Sequence, residues 1–286
     1  MFKRKEKHVT DSDAIRSLPT NRKEVFFDLL KHRKMNLFSL SCFTFMFFIP
    51  LGVDLFYFNF LETAAIASNP DNIQQVLFSL IFYSMLFMLP CMVVGFIGLA
   101  GAFYVAKKMV WQESTSLGVD FFNGIKENWK HAIINGMVFG IILFGLIVGG
   151  AYLLIMSPTT PVWSGVGIGA LIILFIVLGI VNALTFTQDV YYSNPFTTTM
   201  KNAFCFMGLL HWRVFLLFIL TTGLVVGLGC INFITLAIGL FLFAISNSVV
   251  VILYTLMSHS VFDKYINKEY YPDMVNKGLY KGNKEA

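Results

Sequence analysis

The sequence predicts an all-α polytopic membrane protein: six transmembrane helices, both termini cytoplasmic, and two amphipathic cytoplasmic helices in a parallel internal repeat. Three observations carry that prediction. Hydrophobic residues make up 57% of the 286-residue chain and charged residues only 13%, about half the charged share of an ordinary soluble domain. The apolar residues gather into runs of roughly 20 or more, the length that carries a helix across about 30 Å of hydrocarbon. The basic residues fall on alternate connections between those runs. The short alternating segments of a membrane β-barrel are absent from the sequence.

The first 34 residues are polar and basic and lack the apolar stretch and small-residue cleavage site of a removed signal peptide. Within them, Asn21 and Glu24 have capping-box spacing ahead of Val25, Phe26, Leu29 and Leu30. Arg22, Lys23, Lys31, Arg33 and Lys34 flank this apolar set. The pattern predicts a short amphipathic helix on the membrane surface, with a partner-binding helix as the alternative.

Six spans follow, at about Leu37 to Phe60, Val76 to Ala106, Ala132 to Met156, Val166 to Phe186, Val214 to Gly229 and Phe233 to Met257. Pro50 predicts a kink in the first, and Pro90 lies inside the second. The chain thus divides into a basic N-terminal segment (1–34), a transmembrane region (35–259) and a C-terminal tail (260–286). Ten basic residues precede the first span, four lie between Lys107 and Lys130, two (Lys201 and Arg213) lie between the fourth and fifth spans, and five follow the sixth. These account for all 21, and the loops at 61–75, 157–165 and 230–232 have none. Such a bias predicts that both termini and the two longer connections face the cytoplasm. It also explains the net charge of +5 without nucleic acid as a partner.

The repeat pairs Ser114 to Ile133 with Thr197 to Leu216, matching Thr115 with Thr198, Phe121 with Phe204, Trp129 with Trp212 and Lys130 with Arg213. The units, at about 76–156 and 166–230, run in the same sense, which predicts a pseudo-twofold axis along the membrane normal. In the first copy, Ser114, Thr115 and Ser116 offer caps, and Leu117, Phe121, Ile125 and Trp129 recur every four residues beside Phe122. In the second, Thr197 to Thr199 offer caps and Met200, Phe204, Gly208 and Trp212 form the stripe.

Gly98 to Val110 (GLAGAFYVAKKMV), followed by Asp120 to Lys130 (DFFNGIKENWK), resembles the YesL-like family of bacterial membrane proteins. Asp189 to Trp212, with Pro195 and Lys201 to Ala203, is similar to the same family, and the resemblance covers roughly Lys34 to Leu220. Gly95 to Gly98 stands where the family often has a Gly-Pro pair, and the N-terminal extension is long. The resemblance implies a multi-span bacterial inner-membrane protein of unknown activity, linked with carbohydrate uptake, and supplies no catalytic residues.

The sequence offers little for chemistry. Phosphate loops, nucleophile elbows, HExxH and paired intramembrane carboxylates are missing from it, so neither an enzyme nor a cofactor is expected. Asp54 is the one acidic residue inside a predicted span; with Asn182 and Asn247 it forms the candidate intramembrane polar set, set against ordinary interhelical hydrogen bonding. His8, His32, His131, His211 and His259 map to the cytoplasmic side, and no carboxylate or cysteine stands at ligand spacing to His131 or His211. Cys42, Cys91, Cys205 and Cys230 are scattered and read as packing residues. Close glycine pairs (Gly136 with Gly140, Gly145 with Gly149, Gly165 with Gly169, Gly223 with Gly227) predict helix packing.

The leading reading is an accessory or interaction protein that docks a membrane-transport protein or a second copy of itself. Phe121, Phe122, Ile125, Trp129, Phe204 and Trp212 are the candidate contacts. A transporter or permease subunit for a small solute is the alternative, and an enzyme acting on lipid through Glu113, Asp120, Glu127 and His131 is a third reading.

Overall fold

The computed structural model describes residues 18–68, 72–210, 212–229 and 232–280. His8, His211 and Cys230 lie outside the described residues. Eight helices follow in order: α1 (Arg22–His32), α2 (Lys34–Ser68), α3 (Ile73–Val110), α4 (Leu117–Met156), α5 (Pro161–Asp189), α6 (Phe196–Leu210), α7 (Trp212–Gly229) and α8 (Phe233–Tyr270). Helices α2, α3, α4, α5, α7 and α8 are each long and apolar enough to cross a bilayer, as the composition predicts. Among the described residues there is no strand.

Helix length shapes the molecule. Helices α3, α4 and α8 run for 38, 40 and 38 residues, close to 57–60 Å at 1.5 Å per residue, against a hydrocarbon core of about 30 Å. The excess gathers at the end where residues 18–21 and 271–280 lie, and there α1, α6 and the segment after Tyr270 complete a collar. The N- and C-terminal segments meet there: the Tyr280 amide donates to the Pro19 carbonyl at 2.8 Å.

The central element is α3, which packs along α2, α4 and α8. Toward the collar it is almost wholly buried, with Ala102, Val105, Ala106, Met109 and Val110 inaccessible. Glycine lets its neighbours approach. A Cβ on Gly98 would lie 2.5 Å from Phe47 Cβ, and one on Gly124 would lie 2.4 Å from Tyr104 Cβ and 3.2 Å from Gly101 Cα. Around this seam Phe103 stacks on Phe186 at 5.7 Å, and Phe96 meets the same ring edge-on at 5.5 Å. Of the glycine pairs read from the sequence, Gly136 and Gly140 sit against Val93 and Leu89, whereas Gly145, Gly165, Gly169 and Gly227 face open space.

Several local expectations change. The first amphipathic stretch is not a separate helix: it forms the opening turns of α4 and continues unbroken into the third span. The second forms α6, Phe196–Leu210. Both follow the same device, a helix end, a two-residue turn and four residues outside any regular element, at 111–116 and 190–195. The starts of α4 and α6 are thereby matched about one helical turn out of register with the Trp129–Trp212 pairing.

The caps differ too. Ser116 is the N-cap of α4 but makes no side-chain cap bond; the Asp120 carboxylate reaches back to the Ser116 amide at 2.8 Å instead. Thr197 to Thr199 lie inside the first turn of α6, where Thr198 and Thr199 donate their amides to the Pro195 carbonyl. At the end of α3, Gln112 takes a left-handed conformation (φ 56°). Its amide bonds the Met109 carbonyl and the Glu113 amide bonds the Lys108 carbonyl, a Schellman closure built on a residue other than glycine. Pro50 and Pro90 are both accommodated within unbroken helices.

The expected cap of α1 is present: the Asn21 side chain accepts from the Glu24 amide at 3.0 Å. The Glu24 carboxylate in turn accepts from the Thr20 amide at 2.7 Å and the Thr20 hydroxyl at 2.9 Å, and these bonds hold it below the usual glutamate range. Of the apolar set on α1, Val25 and Leu29 are fully buried against the bundle and Phe26 is half-buried, whereas Leu30 is exposed.

The α3–α4 seam yields a test. Gly124→Ala forces a methyl into Tyr104 and the Gly101 backbone and is expected to cost about 1–3 kcal/mol. Gly145→Ala, with nothing within 4 Å, should leave thermal unfolding in detergent unchanged or slightly improved.

Candidate functional site

The collar holds the densest polar chemistry of the molecule. At its centre Trp111, on the turn after α3, donates its indole N–H to His259 Nε2 at 2.8 Å. Indole nitrogen can only donate, so Nε2 accepts and the ring proton is assigned to Nδ1. That N–H points to Asp263 Oδ2 at 3.0 Å. Arg22 Nη2 lies 3.0 Å from the same oxygen and 2.9 Å from Nδ1. Two donors therefore share one carboxylate oxygen. Asp263 Oδ1 takes the Asn267 amide at 2.9 Å, and Asn267 Oδ1 takes the Tyr192 hydroxyl at 2.7 Å. His259 is fully buried.

The start of α1 and the segment at 277–280 close over this chain of bonds. Arg22 Nη1 donates to the Lys277 carbonyl at 2.9 Å. The Lys277 ammonium pairs with Glu113 at 2.8 Å and stands 3.7 Å over the Trp111 ring. Gly278 adopts φ +84°, and a Cβ there would lie 2.5 Å from the Val110 carbonyl oxygen. No other residue type fits that approach without moving the segment. The connection after α5 completes the packing, with Tyr191 and Tyr192 edge-on to Phe262 at 5.5 and 5.3 Å. Burial pushes both phenols well above the ordinary tyrosine range, so both are neutral; Tyr192 donates to Asn267, and Tyr191 serves as a packing ring.

The candidate contact residues divide. Phe121 is corrected: its ring is fully buried against Phe43, Phe47 and Gly101, within the chain, and offers no surface to a partner. Phe121 turns toward α2 and α3, which flank the start of α4, whereas Trp129 on the same four-residue stripe is exposed, a division that periodicity alone does not reveal. Phe122, Trp129, Phe204 and Trp212 are exposed, and Ile125 is half-buried.

The intramembrane polar set does not converge. Asp54 is buried and meets the Ser84 hydroxyl at 3.4 Å, joining α2 to α3. The Asn182 amide donates to Asn135 Oδ1 at 3.0 Å, and the Asn135 amide donates to the Thr185 hydroxyl at 2.7 Å, joining α4 to α5. The Asn247 amide donates to the Ser41 carbonyl at 3.3 Å, and the Ser248 amide to the Ser41 hydroxyl at 3.1 Å, joining α8 to α2. These are three separate interhelical fastenings.

The sequence reading missed the collar cluster and the partner of His131, which is Asp189 at 3.0 Å. Asp189 closes α5, outside the span assigned from hydropathy, and its carboxylate is nevertheless buried. Among the described residues no group of three histidine, cysteine or acidic side chains could hold a metal ion. No family model, no curated protein and no solved structure matches the chain.

Two substitutions probe the closure. Arg22→Ala removes the partner of a largely buried Asp263 and the anchor of Lys277 and is expected to cost about 2 kcal/mol. Gly278→Ala should release the C-terminal segment while leaving the spans folded. In both variants trypsin should cut the terminal segments of the detergent-solubilised chain faster than in the wild type, with the transmembrane fragment left intact.

Proposed function

We propose that the chain is an accessory component of a bacterial membrane system, one that docks a partner through its cytoplasmic face and carries out no chemistry of its own. The single observation that supports this reading is an exposed aromatic and basic strip repeated beside the collar. Phe122 and Trp129 stand outward with Lys126 and Lys130 on α4, and Phe204 and Trp212 stand outward with Lys201 and Arg213 in the second copy. Aromatic residues and arginine are the side chains that most often anchor interfaces.

The charge asymmetry between connections supports a cytoplasmic collar and an inner-membrane location. The resemblance to the YesL-like family supports a place in a bacterial system linked with carbohydrate uptake. The separation of Asp54, Asn182 and Asn247 onto three helix pairs favours this reading over a stand-alone solute carrier.

The test is native mass spectrometry of the full chain extracted from its own membrane in mild detergent. A stoichiometric protein partner, or a second copy, is expected with the wild type and should be lost when Phe122 and Trp129 are both replaced by alanine. A chain that is monomeric and partner-free in both forms would overturn the reading.

A further inference from the structure

A second polar cluster lies between the collar ends of α3, α4 and α5, and the collar network does not use it. Tyr104 and Lys107 come from α3, Glu127 and His131 from successive turns of α4, and Asp189 and Val190 from the end of α5. Contacts link them into a ring. The Tyr104 hydroxyl lies 3.5 Å from Glu127 Oε1. One helical turn on, His131 Nδ1 lies 3.0 Å from Asp189 Oδ1. The Lys107 ammonium donates to the Val190 carbonyl and returns to Tyr104, 5.7 Å from its ring centre.

What the ring leaves unspent is specific. An ammonium has three N–H groups. Lys107 spends one on Val190 and turns the rest of its charge toward the rings of Trp111 at 4.9 Å and Tyr191 at 5.4 Å. Among the described residues it has no ion-pair partner, whereas Lys108 next to it is paired with Asp120 at 2.7 Å. His131 is similarly incomplete. The Asp189 side chain, only 3% exposed, accepts from Nδ1 and orients the ring; among the described residues Nε2 has no partner, and it is a donor when the ring is an imidazolium. Because Asp189 and Val190 are consecutive, the Lys107 ammonium and the imidazolium form of His131 are tied to the same point of the backbone.

One open nitrogen does not make a metal site, and no nucleophile stands in the ring. An oxyanion with several acceptor oxygens suits a half-covered ammonium and a carboxylate-oriented imidazole. Trp129 and Lys130, exposed beside His131, mark the level at which tryptophan and lysine meet headgroups.

We propose that Lys107 and His131 bind a phosphate group, with Glu127 and the Tyr104 hydroxyl on the rim to receive a hydroxyl or ammonium attached to it. Glu127 is the carboxylate on the open side of the ring and suits that attached group, not the phosphate. A phospholipid headgroup and a free phosphate both offer this chemistry. The inference is independent of the docking reading above.

The test uses the full chain in phosphate-free detergent and follows tryptophan fluorescence, to which Trp111 beside Lys107 contributes. One arm titrates inorganic phosphate; the other titrates mixed micelles containing phosphatidylglycerol, with diacylglycerol, which has no phosphate, as the reference. A saturable change is expected in at least one arm. Lys107→Gln and His131→Gln should each weaken it about tenfold or more, the scale of losing a hydrogen bond to a charged group. Lys107→Arg, which keeps the cation, and Lys126→Gln, on the exposed face, should retain it. A response to the lipid alone assigns a headgroup site, and a response to inorganic phosphate assigns a free-phosphate site. No saturable response in either arm, or equal responses in wild type and both glutamine variants, overturns the proposal. Thermal unfolding of each variant separates lost binding from lost fold.

Discussion

The hydrogen bond from Trp111 to His259 is the contact on which the collar depends. It decides the imidazole tautomer, and the tautomer decides everything beyond it. With Nε2 occupied as an acceptor, Nδ1–H must find an acceptor of its own, and Asp263, one helical turn further along α8, supplies it. That carboxylate then requires a cation and a second donor, which arrive as Arg22 from the N-terminal helix and Asn267 from α8. A buried polar group left unpaired costs more than a paired one gains. The chain of bonds therefore recruits both ends of the polypeptide, and the fold closes on itself at the collar.

The same logic governs the spans. Between helices in hydrocarbon there is no hydrophobic drive, because lipid tails are as apolar as leucine. Close backbone approach and polar pairs must take its place. The α3–α4 seam supplies the first through Gly98, Gly101 and Gly124. The pairs Asp54–Ser84, Asn182–Asn135 and Asn247–Ser41 supply the second, each between a different pair of helices. At the collar, water is again the competitor, and the apolar core is correspondingly densest there, around Met109, Phe121, Phe186, Ile252 and Phe262.

Two acidic residues show how position changes meaning. Asp120, read from the sequence as a candidate for chemistry on lipid, is buried, capping the start of α4 and pairing with Lys108. Asp189 lies beyond the fourth span as read from hydropathy, yet it is buried at the end of α5 and orients His131. In each case the partner comes from another helix, and sequence spacing carries no trace of it.

The sequence by itself determined the six spans, the cap of α1 at Asn21 and the two-copy plan of the connections. These rest on local composition, periodicity and turn chemistry, which act within a few residues. It determined the exposed side of α4 only in part: Phe122 and Trp129 stand outward, but Phe121 on the predicted contact stripe turns inward. Tertiary structure alone decided that α4 runs unbroken from collar to far end, that Arg22 meets Asp263 and Lys277, and that Gly278 must be glycine. Those outcomes depend on which helices lie side by side, and contacts between residues more than 200 positions apart leave no periodic signature in the chain.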